Sequence, residues 1–137
     1  MLNWSKGTIL GALLATAALS LSGCPLPPGS GEATCVSTST LDFGATTTEL
    51  SFEVENCGET PTLLTFSVDP QQPWISVDPN TATSLNTFLF GTQTVDITVT
   101  VNRSLLVPGV LNTGAIIVGS PDADPAFETI IVTAEGP

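Results

Sequence analysis

Few side chains in this sequence can do chemistry, and their types narrow the options early. There are three cysteines, 13 carboxylates, two cations, no histidine and no tyrosine. Without histidine there is no Ser-His-Asp triad, no Cys-His pair and no His-ligated zinc site. Acid–base work is left to carboxylates and to the lone lysine, Lys6. Two carboxylates acting as a glycosidase pair need a cleft and one acid with a raised pKa, and no spacing here argues for that. Two basic residues cannot neutralise a phosphate backbone, which excludes nucleic acid as a partner. Asp122 and Asp124 sit two apart in a Pro-flanked loop, far short of the six to eight oxygens Ca²⁺ takes, and read as a solvated turn. No cofactor and no metal are implied, and the chain reads as non-enzymatic.

Cys35 and Cys57 are the candidates for a disulfide, since two cysteines in an exported domain tend to pair. Their midpoint falls inside the Gly44–Thr48 turn, so a hairpin around that turn would bring them close. The parity is less tidy. Leu41 and Phe43 share the odd parity of Cys35, whereas the core face of the next strand is even-numbered and Cys57 is odd. Either a bulge or curl near Asn56–Gly58, or a break between Cys35 and Leu41, must absorb one residue.

Trp74 offers an indole on which a sugar could stack, with core packing between sheets as the competing reading. Ile75 and Val77 alternate with it, which sets Trp74 and Ser76 on the other side of the strand. Leu85, Phe88, Leu89 and Phe90 form an apolar run that could contact a partner. The alternative is an extra strand closing the sandwich edge, with Phe88 and Phe90 inward. The absence of tyrosine weakens a sugar-binding surface, because such surfaces rely on Trp and Tyr. Glu49, Glu53 and Glu55 read as a solvated strand face, and Arg103 is expected to pair with a carboxylate.

The elements that must carry these residues begin with an address. Met1–Lys6 is a short cationic start, and Gly7 to about Leu21 is an uncharged apolar run of 15 residues, short of the roughly 20 that span a bilayer. It ends in Leu21-Ser22-Gly23-Cys24, which resembles the bacterial lipobox at all four positions. The resemblance implies a signal peptide over residues 1–23 and a lipidated Cys24 as the first mature residue. More than one acyl chain then holds the protein stably on a membrane. Pro25 stands where an Asp is associated with inner-membrane retention, so the expected location is the cell envelope, at the outer membrane. After residue 23, Arg103 is the only cation against all 13 acids. Residues 24–33, CPLPPGSGEA, have the composition of a tether.

From residue 34 to 137 the pattern is strand. Leu50, Phe52 and Val54 alternate with Ser51, Glu53 and Glu55, and Val95, Ile97, Val99 and Val101 alternate with polar residues in the same way. Turn signals separate the runs, at Gly44, Asn56-Cys57-Gly58, Asp78-Pro79-Asn80, Pro108-Gly109 and Pro121–Pro125. About seven short strands read as an all-β, immunoglobulin-like β-sandwich following the signal peptide.

Three stretches then carry a family resemblance: Leu41-Asp42-Phe43-Gly44, Leu50–Asn56 and Pro73–Pro79. Val101–Ser104, then Leu106, Pro108 and Gly109, and then Gly114–Val118 continue it in order. Together they resemble the BACON family of immunoglobulin-like modules, over roughly residues 38–134. The first two also resemble abnormal-spindle/hydin-type modules. Residues 80–91, NTATSLNTFLFG, depart from the pattern, where a small Gly-containing turn is expected. The BACON resemblance implies a non-catalytic binding module, with a carbohydrate-binding role attached to the family name. The expected protein is therefore lipid-anchored through Cys24 and contacts a glycan or protein partner. The alternative is a structural spacer or assembly component with no small ligand.

Overall fold

The computed structural model of the chain describes residues 31–87 and 89–137. Ten strands follow one another: β1 (Thr34–Val36), β2 (Thr40–Asp42), β3 (Glu49–Asn56), β4 (Leu63–Pro70), β5 (Ile75–Asp78), β6 (Thr81–Thr87), β7 (Gly91–Thr92), β8 (Thr94–Val101), β9 (Leu111–Gly119) and β10 (Phe127–Glu135). They form two sheets, ordered β1-β3-β8-β5 and β2-β10-β9-β4-β6-β7. Every pairing is antiparallel except β2 with β10. This is the expected immunoglobulin-like sandwich.

Alternation decides which faces meet. In β3, Phe52 and Val54 turn inward while Glu49, Ser51 and Glu53 stay in water. Across the ladder, Ile97, Val99 and Val101 of β8 face the same way. The opposing sheet contributes Leu64, Phe66 and Val68 of β4, Ile116 and Val118 of β9, and Ile130, Val132 and Ala134 of β10. All are buried. Each of the larger side chains, Ala134 aside, contributes roughly 1.5–3 kcal/mol relative to exposure, which is what holds two amphipathic sheets face to face.

The strand count exceeds the expected seven for two local reasons. The segment Thr34–Asp42 divides into β1, which joins the first sheet, and β2, which joins the second. Residues 81–92 form a hairpin, β6–β7, at the edge of the larger sheet.

The same division resolves the parity of the cysteines. Cys35 pairs in register with Glu55, and Thr34 with Asn56, so β1 and β3 stay in phase without a bulge. Cys35 and Cys57 both carry the outward parity of that sheet. The one-residue slip lies instead between Cys35 and Leu41, where the chain crosses from one sheet to the other. The disulfide between Cys35 and Cys57 spans a Cα–Cα separation of 5.9 Å.

Glu32 and Ala33, the described residues nearest the start of the sandwich, are hydrogen-bonded to it. The carbonyl of Ala33 accepts from Cys57 N–H at 3.0 Å, and that of Glu32 from Asp124 N–H at 2.8 Å.

Candidate functional site

Two ends of the sandwich have different surfaces. The first is where the chain enters at Gly31. Its centre is Asn56, a fully buried polar residue at the end of β3. Asn56 Oδ1 accepts from Ala33 N–H at 3.1 Å and from Gly58 N–H at 3.0 Å. Its Nδ2 donates to the carbonyl and hydroxyl oxygens of Thr62, at 3.0 and 2.9 Å. The Thr62 hydroxyl in turn donates to the Gly31 carbonyl. Every polar atom of this amide is satisfied, which is the condition for burying one without a large penalty.

The β6–β7 hairpin is fixed to the same hub. Asn86 Nδ2 donates to the Gly58 carbonyl, and Ser84 Oγ donates to the carbonyl of Gln93. Gly58 lies so close to the entering chain that a Cβ there would sit 2.7 Å from the Gly31 carbonyl oxygen. At the hairpin tip, Leu89 and Phe90 are 85% and 87% exposed. Leu63 and Leu85, directly paired across β4 and β6, are exposed beside them. No charged residue occurs between Asp78 and Asp96, so the whole hairpin is neutral on a strongly acidic chain.

The run Leu85–Phe90 is thus partly the edge strand expected of it, but Phe90 points outward rather than inward. Residue 90 lies beyond the last β6 pairing, so nothing packs over it. Phe88 lies outside the described residues, as does Cys24. Phe90 helps line a depression of about 230 Å³ with Leu85, Thr87 and Thr92. That is below the roughly 300–1,000 Å³ of small-molecule pockets.

Trp74 lies inside, which corrects the outward phase drawn from Ile75 and Val77. It is 7% exposed and belongs to the core with Ile75. The reason is its position just before β5, where strand alternation does not yet apply. Its carbonyl accepts from Asn102 N–H at 2.9 Å. The indole offers no open face for a sugar to stack on.

The second end lies at the other extremity of β9. The nine residues of β9 separate the two ends by about 27 Å, at roughly 3.4 Å per residue. Here the β8–β9 connection displays Leu105, Val107, Val110 and Leu111, all at least half exposed. Gly109 turns this loop with φ +72°, in the left-handed region that glycine adopts without strain. Asn112 braces the loop: its Oδ1 accepts from Val107 N–H at 2.9 Å, and its Nδ2 donates to the Val110 carbonyl at 3.0 Å.

Arg103 anchors the base of the loop, though not by the expected ion pair. Its guanidinium donates to main-chain carbonyls, those of Glu135 at 2.7 Å, Phe43 and Gly44 at 3.1 Å each, and Thr47. A planar fork suits several carbonyls at once, and a turn that converges on it outcompetes a solvated carboxylate. Glu53 is exposed and Glu55 half-exposed on the outer face of β3, as expected. Asp122 and Asp124 are exposed, and no group of metal-ligating residues forms among the described residues.

The sequence reading missed the far-end patch. Pro108-Gly109 was legible as a turn, but the apolar residues on both sides of it, in a position usually given to polar ones, were the available signal. It also missed Asn56 as a hub, having read Asn56-Cys57-Gly58 only as a turn.

Comparison with known proteins agrees with the architecture. Residues 34–126 match a family described as the viral BACON domain. No curated protein matches the chain significantly. Among solved structures, the Escherichia coli chaperone DraB superposes with a TM-score of 0.58 at 14% identity, over 77% of this chain and 56% of that one. A Porphyromonas gingivalis protein of unknown function gives 0.57 at 19% identity, over 80% and 49%. The PapD-like domain 7 of human CEP192 gives 0.51 at 13% identity, over 82% and 89%. At such identities the likeness is one of fold. The chain spans little more than half the length of the chaperones it resembles, 51% for YadV and 56% for DraB.

Proposed function

The chain belongs to the viral BACON domain family, and we propose that it is a lipid-anchored, non-catalytic binding module of the cell envelope. Modules of this family and fold are generally non-catalytic. In this reading Cys24 carries the lipid and holds the protein at the outer membrane. The sandwich then presents its far end to a protein partner. The observation that carries it is the apolar loop with Leu105, Val107, Val110 and Leu111 exposed at the end away from the entering chain. Contiguous exposed apolar residues with a polar rim mark contact surfaces.

A protein is favoured over a glycan because Trp74 is buried and the sequence has no tyrosine. With Arg103 as the only cation after the signal, the complementary partner has an apolar centre and a basic rim.

Two measurements test this. Metabolic labelling with a fatty-acid analogue should mark the wild-type chain and not Cys24→Ser. A photo-crosslinking residue at position 110 of the membrane-bound chain should give one discrete protein adduct, abolished by Leu111→Asp. Adducts equal in yield to those from position 65, on the side of the sandwich, would refute a far-end contact and leave the spacer role.

A further inference from the structure

The neutral β6–β7 hairpin is not used by the far-end contact, and it stands where the chain enters the fold. We propose that its tip, Leu89 and Phe90, sits in the interfacial layer of the bilayer that anchors the chain. The proposal rests on the reading that Cys24 is lipidated.

Three observations carry it. The first is place. Gly31 is bound through Thr62 to the Asn56 hub, Gly58 N–H donates to the same Asn56 amide, and Asn86 at the base of the hairpin tip binds the Gly58 carbonyl. The hairpin therefore leaves the sandwich beside the segment that leads back to Cys24. The second is reach. Seven residue steps separate Cys24 from Gly31, and a fully extended chain covers at most about 3.6 Å per step, so Gly31 stays within about 25 Å of the anchor. The domain cannot drift far from the surface, and the end tied to it by the chain is the one bearing Leu89 and Phe90. The third is chemistry. The tip pairs a leucine with an aromatic residue at 85% and 87% exposure, and the strand leading to it is lined with Thr, Ser and Asn. Apolar and aromatic residues on a neutral polar support suit the headgroup boundary. Asp or Glu in the hairpin would be repelled by an anionic surface, and there is none between Asp78 and Asp96.

Two apolar side chains alone bind a membrane feebly. The lipid anchor supplies the effective concentration that makes their insertion persistent, so the hairpin orients the domain rather than recruiting it. With the tip down, the loop at Val107–Leu111 points away from the membrane.

The experiment uses the full lipidated chain in phosphatidylcholine vesicles, some made with brominated acyl chains. Trp74 is buried and serves as a constant background in the mature protein. Phe90→Trp adds a reporter at the tip, and Val110→Trp adds one at the far end. The expected result is a blue-shifted added emission for F90W that loses most of its intensity in brominated vesicles, with V110W unchanged by bromine. Soluble iodide should quench V110W strongly and F90W weakly. If wild type does not float with the vesicles while carrying no lipid, the anchoring reading fails and the hairpin's placement with it. If it floats but F90W is quenched by iodide and not by brominated lipid, the anchoring stands and the hairpin's placement is overturned. A blue-shifted F90W indifferent to bromine overturns it too, and assigns the tip to a protein contact. Adding phosphatidylglycerol to the vesicles should reduce the bromine effect, because the surrounding domain is acidic.

Discussion

The main-chain N–H of Asn56 donates to Ser84 Oγ at 2.9 Å, joining β3 of one sheet to β6 of the other. Both residues are fully buried. Two sheets in a sandwich ordinarily meet through side-chain packing alone. Here a polar bond crosses between them and continues from Ser84 to the Gln93 carbonyl, at the corner where β7 leads into β8.

Asn56→Ala should therefore be among the costly substitutions. It strands the buried Ala33 N–H and the half-buried Gly58 N–H and removes both bonds to Thr62, whose carbonyl keeps the Asn86 N–H. Each unsatisfied group costs about 1–3 kcal/mol, so a loss of about 3 kcal/mol or more is expected. Ser84→Ala breaks two bonds, to the Asn56 N–H and the Gln93 carbonyl, against four made by the Asn56 amide, and should cost less, about 2 kcal/mol. Urea titration of both variants, followed by circular dichroism, checks the order. Equal midpoints for N56A and wild type would show that the amide is not a hub.

Arg103 makes a different prediction, because its partners are carbonyls. Arg103→Met should lower stability by about 2 kcal/mol, in the range of hydrogen bonds to a charged group. Arg103→Lys should recover little of it, since an ammonium cannot reach several carbonyls as a planar fork does. Raising salt should barely alter the difference between wild type and R103M. A surface ion pair would instead fade with screening.

The disulfide closes a loop of 22 residues in sequence separation. Loop-entropy arguments give about 3 kcal/mol of stabilisation for that size. Thiol labelling of the native protein should find neither Cys35 nor Cys57 free. Cys57→Ser should unfold at clearly lower urea than wild type, and reductant should shift wild type towards the variant.

Trp74 is the only tryptophan among the described residues. Its native emission should be blue-shifted and resistant to iodide and to added polysaccharides. Trp74→Ala should cost about 3–5 kcal/mol, as large aromatic truncations in cores do. Quenching by a glycan at unchanged stability would contradict its buried position.

Much of the architecture was legible because alternation is local. Phe52 and Val54 in β3, and Ile97, Val99 and Val101 in β8, announced their inward faces by period alone. The disulfide was legible from its two cysteines. The hairpin at 81–92 was legible only as one extra edge strand through Leu85–Phe90, because Thr, Ser and Asn fill β6 with little apolar contrast and only Ser84 is fully buried there. For Trp74 the core-packing reading holds, and the outward phase implied by Ile75 and Val77 does not, because strand parity stops at the start of β5. The partner of Arg103 depends on turns at Phe43–Thr47 and on Glu135, distant in sequence, and no local pattern reports that convergence. The exposed apolar patches were the least legible, since exposure of Leu89, Phe90, Val110 and Leu111 depends on what fails to pack over them.

The short strand β1 has a mechanical consequence. It enters antiparallel to β3, with Thr34 opposite Asn56 at the end where the preceding chain attaches. A pull on that chain would open the β1–β3 ladder like a zipper, one pair at a time, the weak direction for a sheet. The second rung of the zipper is Cys35, already bonded to Cys57. Tension arriving through Gly31 would be passed at once into the eight-residue β3, which is hydrogen-bonded along its length to β8. The covalent link sits where peeling would start, so the oxidised domain should resist being stripped from its first strand under load, and the reduced one should not.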